Sequence, residues 1–517
     1  MSVAKACLPC RAAKARCDLV RPICGRCMCR GLACTGFPGD AGFIFRDENE
    51  AAQRNSERAR RGPGKNHLPP ISFKIIPSQK QQTQLSTDVP DLDLQQLYPW
   101  LNHRALAVVP KPLRRDLETR AVDRFFLNWT LHPCNDGVSL GHMHDLPMLY
   151  LSAPPESILW LAVRAMAFAD MRHHRSEDTP FTTKALRHYG AALSLLRTIA
   201  VDEQRLADDR VLTALLLVDN FESMYLGRTE PLGPHSDAVR HVLRARGDKQ
   251  FFDRSGFSLW RVAHHRLQAR QVMLREGPYP EQIAWMSKLD INFIPLRISV
   301  DVQQMNTLAA AAKKLTLGSE VARPISSEKV EQARQLAQAI EDLISSIESW
   351  TATITDVWRP KTIDPHYISE TDVSSKFSIP HFICPRLLSY HDIWLAYMWN
   401  FHAASQIVLR ESLVDVINYN TSRQMQEPGL EDMERVQREQ DAVNRLSSIL
   451  IRSFPQLLGF THKDTRGPYL PAQGKMAGRY FSLFSMCVVQ TARSTPPEHK
   501  QSASEVIEWI NSTHGLG

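Results

Sequence analysis

From about Asp116 to the C-terminus, apolar residues recur at intervals of three and four, the spacing that lines one face of an α-helix. After Ser157 the positions Ile158, Leu161, Ala162, Ala165 and Ala169 form such a stripe. The stretches 186–199, 206–225, 300–317, 330–350, 387–416 and 433–454 carry the same period. Strand-like alternation of apolar and polar residues is scarce. The pattern predicts a mostly α protein whose large body, over 115–517, is an all-α domain of many helices, interrupted at 360–385 by a Pro-rich, polar stretch.

Residues 35–114 hold no sustained period. Gly36, Pro38, Gly39, Gly62, Pro63, Gly64, Pro69, Pro70 and Pro77 punctuate them, and Gln79 to Gln84 is a polar run, so they are expected to be a largely flexible linker. Within it, 47–61 fits a short polar helix ended by Gly62 and Pro63. The apolar residues of that helix are all alanine, which is too little for a coiled coil with apolar a and d positions. Monomeric action and homodimerisation through the body both stay open.

Composition narrows the class. Of 517 residues, 43% are hydrophobic and 23% charged, as in folded soluble proteins. The most apolar runs, such as 158–171 and 211–218, are broken by Arg164, Asp170 and Asp219, well short of the roughly 20 apolar residues a bilayer crossing needs. No membrane partner is expected. The N-terminus is polar and basic from Lys5 onward and does not read as a secretory signal, which points to a reducing compartment.

Charge and cysteine are unevenly placed. Residues 1–65 carry 13 Lys+Arg against 6 Asp+Glu, so the whole formal excess of +7 sits in the head and the rest is balanced. A basic head on a neutral body is the footprint of a nucleic-acid-binding module attached to something else. Seven of the ten cysteines lie between Cys7 and Cys34. In a reducing compartment that clustering argues for metal rather than disulfides.

The head reads Cys7-x2-Cys10-x6-Cys17-x6-Cys24-x2-Cys27-x6-Cys34, two copies of one unit offset by 17 residues. Each copy supplies three thiolates, and tetrahedral zinc takes about four. Two copies together satisfy two zinc ions if two of the sulfurs bridge. The resulting cluster is anionic, and Lys5, Arg11, Lys14, Arg16, Arg21, Arg26 and Arg30 are at hand to offset it and to approach phosphate. Cys29 breaks the repeat and is read as a bystander thiol. The basic group Arg54, Arg58, Arg60, Arg61 and Lys65 suits an import signal, a phosphate-contacting arm or a solvated helix face.

The segment resembles the fungal binuclear zinc cluster (Zn2Cys6) family of transcription regulators. All six cysteines match that spacing, as do Arg11, Lys14, Arg16, Asp18 and Pro22. The resemblance implies a DNA-binding domain over 7–34 that holds two Zn2+ ions through Cys7, Cys10, Cys17, Cys24, Cys27 and Cys34, with Cys7 and Cys24 bridging. It implies that Lys14 reads a CGG-type triplet in the major groove of double-stranded DNA. Arg11 and Arg16 then serve as phosphate contacts. One position departs from the family, Ala13, where many members carry a second basic residue.

The stretch 152–246 resembles, more loosely, the helical regulatory region that follows such clusters. Tyr189, Ala191 to Leu196, Asp208, Asp209, Glu222 and His235 to Arg246 carry that likeness. What the two resemblances imply together is a nuclear, sequence-specific factor acting on RNA polymerase II transcription, with transcription machinery or coregulators as partners. A pathway-specific regulator, leaning to a secondary-metabolite gene cluster, is the expected type. The rivals are a zinc-headed enzyme and a zinc interaction protein that does not bind DNA. The chain has no phosphate-binding Gly loop, nucleophile elbow, His-Glu-x-x-His pair or dinucleotide fingerprint, so no enzyme is expected. Asp208 and Asp209 lack the third acid of a terpenoid-synthase metal motif, and the pairs His173/His174 and His264/His265 read as surface or helix-end residues.

Overall fold

The computed structural model describes Cys7, Pro9, Cys10, Ala13, Cys17 and residues 24–30, 116–133, 140–171, 179–199, 203–317, 327–363, 386–423, 429–458 and 475–514. The expected linker at 35–114, the helix at 47–61 and the pair His173/His174 lie outside these. The chain divides into two units, Met1–Val108 and Val109–Gly517.

In the first unit the described helix is α1 (Gly25–Cys29). The second unit opens with α2 (Leu117–Trp129), started by Asp116, whose carboxylate accepts from the Thr119 N–H at 2.7 Å. Its buried face is Ala121, Val122, Phe125 and Trp129. Then follow α3 (Leu146–Leu151), α4 (Ile158–Met171), α5 (Thr179–Ile199), α6 (Glu203–Leu206) and α7 (Asp209–Tyr225). Helix α4 packs against α2, α5 and α7 and is buried on almost every side.

Next come α8 (Ser236–Arg246), α9 (Arg254–Leu274), α10 (Pro280–Met286), α11 (Ile294–Thr316) and α12 (Ser327–Ala352). The chain ends in α13 (Ile393–Arg423), α14 (Leu430–Leu457), α15 (Lys475–Thr491) and α16 (Pro497–His514). The main core runs through α2, α4, α7, α9, α13 and α15, with Trp129, Trp260 and Trp394 buried in it. A second apolar cluster joins α11, α12 and α13, where α12 presents Ala333, Ala337, Ile340, Ile344 and Ile347 at three- and four-residue intervals. At Gly478 a Cβ would collide with the Leu457 carbonyl, so α15 approaches α14 where only glycine fits.

Two expectations are corrected. The helix predicted from Leu387 starts only at Ile393, because Leu387–Ser389 pairs antiparallel with Lys361–Ile363 as a two-stranded ribbon. Asp392 then caps α13, accepting from the Leu395 N–H at 2.8 Å. The pair His264/His265 is neither on the surface nor at a helix end; it lies within α9, at 1% and 3% exposure. No helix among the described residues is long and apolar enough to cross a membrane.

Candidate metal centre

Both Cys-x2-Cys pairs sit on helical turns. In the second half, Cys24 precedes α1 and its Sγ accepts from the Cys27 N–H at 3.4 Å, a sulfur serving as helix cap. In the first half, the Ala13 N–H donates to the Pro9 carbonyl at 3.0 Å, so the chain turns helically past Cys10. A three-residue step on a helix places two thiols on one face, and the two faces meet.

Cys7 Sγ lies 3.6 Å from Cys24 Sγ and 3.8 Å from Cys27 Sγ. Cys10 Sγ lies 3.6 Å from Cys24 Sγ and 4.0 Å from Cys27 Sγ. Four sulfurs at about 2.3 Å around a tetrahedral zinc are separated by about 3.8 Å. The spacing therefore suits zinc, and it is far too long for a disulfide, whose S–S bond is about 2.05 Å. The sulfurs of Cys7, Cys10, Cys17 and Cys24 all lie within 4.8 Å of one another, one complete donor set. Cys27 meets the same edge, its Sγ 3.8 Å from Cys7 Sγ and its backbone N–H donating to Cys24 Sγ.

The basic residues of the head do not all face outward. Arg26 Nη1 donates to Cys10 Sγ at 3.6 Å. That guanidinium draws the Cys10 thiol down to about 7, while burial pushes the Cys7 thiol well up. A cation held against a sulfur offsets part of the negative charge that the thiolates carry. Sequence reasoning counted Arg26 among seven cations without separating it; its place in the first turn of α1, beside Cys27, is the signal that it points back at the cluster. Cys29 is exposed. Cys34, Lys14, Arg11 and Arg16 lie outside the described residues.

The body residues singled out in the sequence form ion pairs and hydrogen bonds. Asp208 caps α7 and pairs with Arg210, and Asp209 pairs with Arg246 at 2.5 Å, so these acids are matched by arginines. Glu222 accepts from the Tyr189 hydroxyl at 2.7 Å, meets His235 Nε2 at 2.8 Å and pairs with Arg228 at 2.8 Å. Beside it, the fully buried Asp219 joins Arg228, Arg266 and the Tyr480 hydroxyl. Sequence reasoning noted Tyr189, Glu222 and His235, and Asp219 only as a charge that breaks an apolar run; it did not single out Arg228, Arg266 or Tyr480, which meet Asp219 through the fold.

Residues 5–41 match the fungal Zn(2)-Cys(6) binuclear cluster domain. No curated protein and no solved structure matches the chain. The matched family is a DNA-binding transcription factor domain and not an enzyme class. With the four-sulfur donor set in place, the head of this chain is a zinc-binding Zn(2)-Cys(6) domain of the fungal DNA-binding transcription factor family.

Proposed function

We propose that the protein is a nuclear, pathway-specific regulator of RNA polymerase II transcription that reads a CGG-type triplet through its zinc head. The reading divides the chain into a DNA-binding domain at 7–34, a linker at 35–114 and a regulatory body at 115–517 that engages transcription machinery or coregulators. The observation that carries it is the edge between Cys7 and Cys24, 3.6 Å long, against which Cys10, Cys17 and Cys27 all gather. An edge common to two donor sets is what a two-zinc cluster requires. Cys34 completes the second set.

Bound zinc supplies a rigid junction that holds the two helical turns at a fixed angle. Lys14, in the first half, then donates to guanine O6 and N7, while Arg11 and Arg16 neutralise phosphates. Arg26, turned to Cys10, is a charge compensator within the cluster rather than a phosphate anchor. A secondary-metabolite gene cluster is the target class we favour.

Two measurements on the full chain test this. Elemental analysis of reduced protein is expected to give two zinc ions per chain; a reproducible value of one overturns the binuclear assignment. Lys14→Ala is expected to cost about 1–3 kcal/mol on a selected CGG-containing duplex and little on a scrambled one. Arg11→Ala and Arg16→Ala are expected to weaken both duplexes and to flatten the salt dependence by about one counterion each. Equal losses on both duplexes for Lys14→Ala move that residue from base to phosphate. Chromatin immunoprecipitation with sequencing identifies the target genes.

A further inference from the structure

The two halves of the head are tied by a contact that zinc ligation does not itself require. Arg26 belongs to the second half, and its Nη1 donates at 3.6 Å to the sulfur of Cys10, in the first. The two residues stand 16 positions apart, so the contact spans the junction between the two Cys-x2-Cys turns. The repeat is offset by 17 residues, and Pro9 stands in the first half where Arg26 stands in the second. Ligation alone therefore calls for no cation at this position, and only one half carries it.

Arg26 is held firmly in place. It follows Gly25 at the start of α1, between Cys24 and Cys27, and the Cys24 sulfur accepts from the Cys27 N–H at 3.4 Å. Its backbone is thus flanked by two cysteines that face the other half, and its carbonyl accepts from the Arg30 N–H at 3.2 Å. The sulfur it meets is buried and crowded: Cys10 Sγ has Cys24 Sγ at 3.6 Å and Cys27 Sγ at 4.0 Å. Once ionised, sulfurs this close repel one another, and a guanidinium donating to one of them opposes that repulsion directly. A donor on a ligand sulfur also fixes its orientation toward the metal.

We propose that Arg26 is a positioning residue for the metal: it clasps Cys10 to the second half and sets how slowly zinc leaves the donor set of Cys7, Cys10, Cys17 and Cys24. The proposal rests on the reading of the head as a zinc cluster, and it holds whether that cluster carries one zinc ion or two. Without the clasp, Cys10 is the sulfur freed to leave the metal, which gives a competing chelator its entry.

Zinc transfer from the full chain to excess pyridylazo resorcinol, followed by absorbance, is the test. Arg26→Gln is expected to load as much zinc as the unmodified chain and to release it faster by about 10- to 100-fold, the usual cost in metal affinity of losing such a partner. Arg26→Lys keeps the charge without the planar fork and is expected to fall between the two. Arg30→Gln removes the same charge from an exposed position at the end of α1 and is expected to change the rate much less. On a scrambled duplex, Arg26→Gln is expected to keep the salt dependence of the unmodified chain, because its guanidinium faces sulfur and not phosphate. If Arg26→Gln loads no zinc, Arg26→Lys decides, and a release rate equal to that of the unmodified chain overturns the inference. Unchanged release from Arg26→Gln, equal acceleration by Arg30→Gln, or a salt dependence shallower by about one counterion also overturns it. A zinc count of one throughout overturns the binuclear reading alone and leaves the ratio of release rates to decide this one.

Discussion

Among the described residues, the buried apolar cluster of the head consists of Cys7, Cys10, Cys24 and Cys27, whereas the core of the body is built from aliphatic and aromatic side chains gathered from α2 to α16. In the head, the groups that ought to drive folding are thiols that repel one another once ionised. The energy of that module comes from metal–sulfur bonds. In the body it comes from area removed from water, distributed over many contacts, each worth little. One region therefore fails all at once when one component is withdrawn, and the other loses stability in proportion to what is removed.

The largest expected effect follows from that difference. Treatment with a zinc chelator is expected to abolish DNA binding and unfold the head, while the helical circular dichroism of the body and its thermal midpoint stay where they were. A body that melts earlier in chelator would break the comparison.

The converse experiment perturbs the body alone. Phe221 is 1% exposed and stacks on Tyr189 at 4.6 Å. Phe221→Ala is expected to destabilise the body by about 3–5 kcal/mol in urea denaturation followed by tryptophan fluorescence. Zinc content per chain is expected to be unchanged.

A smaller effect comes from a buried acid. Asp170 accepts from Trp129 Nε1 at 3.0 Å and from the Tyr225 hydroxyl, and burial pushes its carboxyl from 3.8 up to about 6. Since the folded value is the higher one, the protonated form is favoured by folding. Its contribution is complete below about pH 4 and is lost as the pH rises through 6, a change of about 3 kcal/mol. Asp170→Asn, which is neutral throughout, is expected to remove that slope, read as the difference between the two stability profiles from pH 4 to 7. Identical slopes would show that Asp170 titrates in the fold as it does in the open chain.

The smallest effect is predicted at Cys29. Being exposed and outside the donor set of Cys7, Cys10, Cys17 and Cys24, it is expected to be replaceable by serine with no loss of zinc. Release of zinc from Cys29→Ser would bring it into the ligand set and sharpen the assignment of the second site.

The cysteine spacing was legible because metal chemistry is local in sequence: Cys-x2-Cys on a helical turn sets two thiols on one face whatever surrounds it. Helices such as α4 and α12 were legible for the same kind of reason, a period that survives without knowledge of the neighbours. Helix α9 was not. It carries Arg261, His264, His265, Arg266 and Gln268, all buried, so a reading that assigns polar residues to a wet face has no stripe to find. The ribbon at Leu387–Ser389 was missed because its partner, Lys361–Ile363, lies on the far side of the Pro-rich interruption.

What the sequence determined by itself was therefore the chemistry of the head and the helical character of the body, since spacing, charge and period are properties of neighbouring residues. The tertiary structure alone decided which charges are matched. Asp219 finds Arg228, Arg266 and Tyr480 from three separate segments, Arg26 turns inward to Cys10, and Arg261 lies over the Trp394 ring. The physical reason is that the cost of a charge depends on what desolvates and what faces it, and both are set by segments far away along the chain.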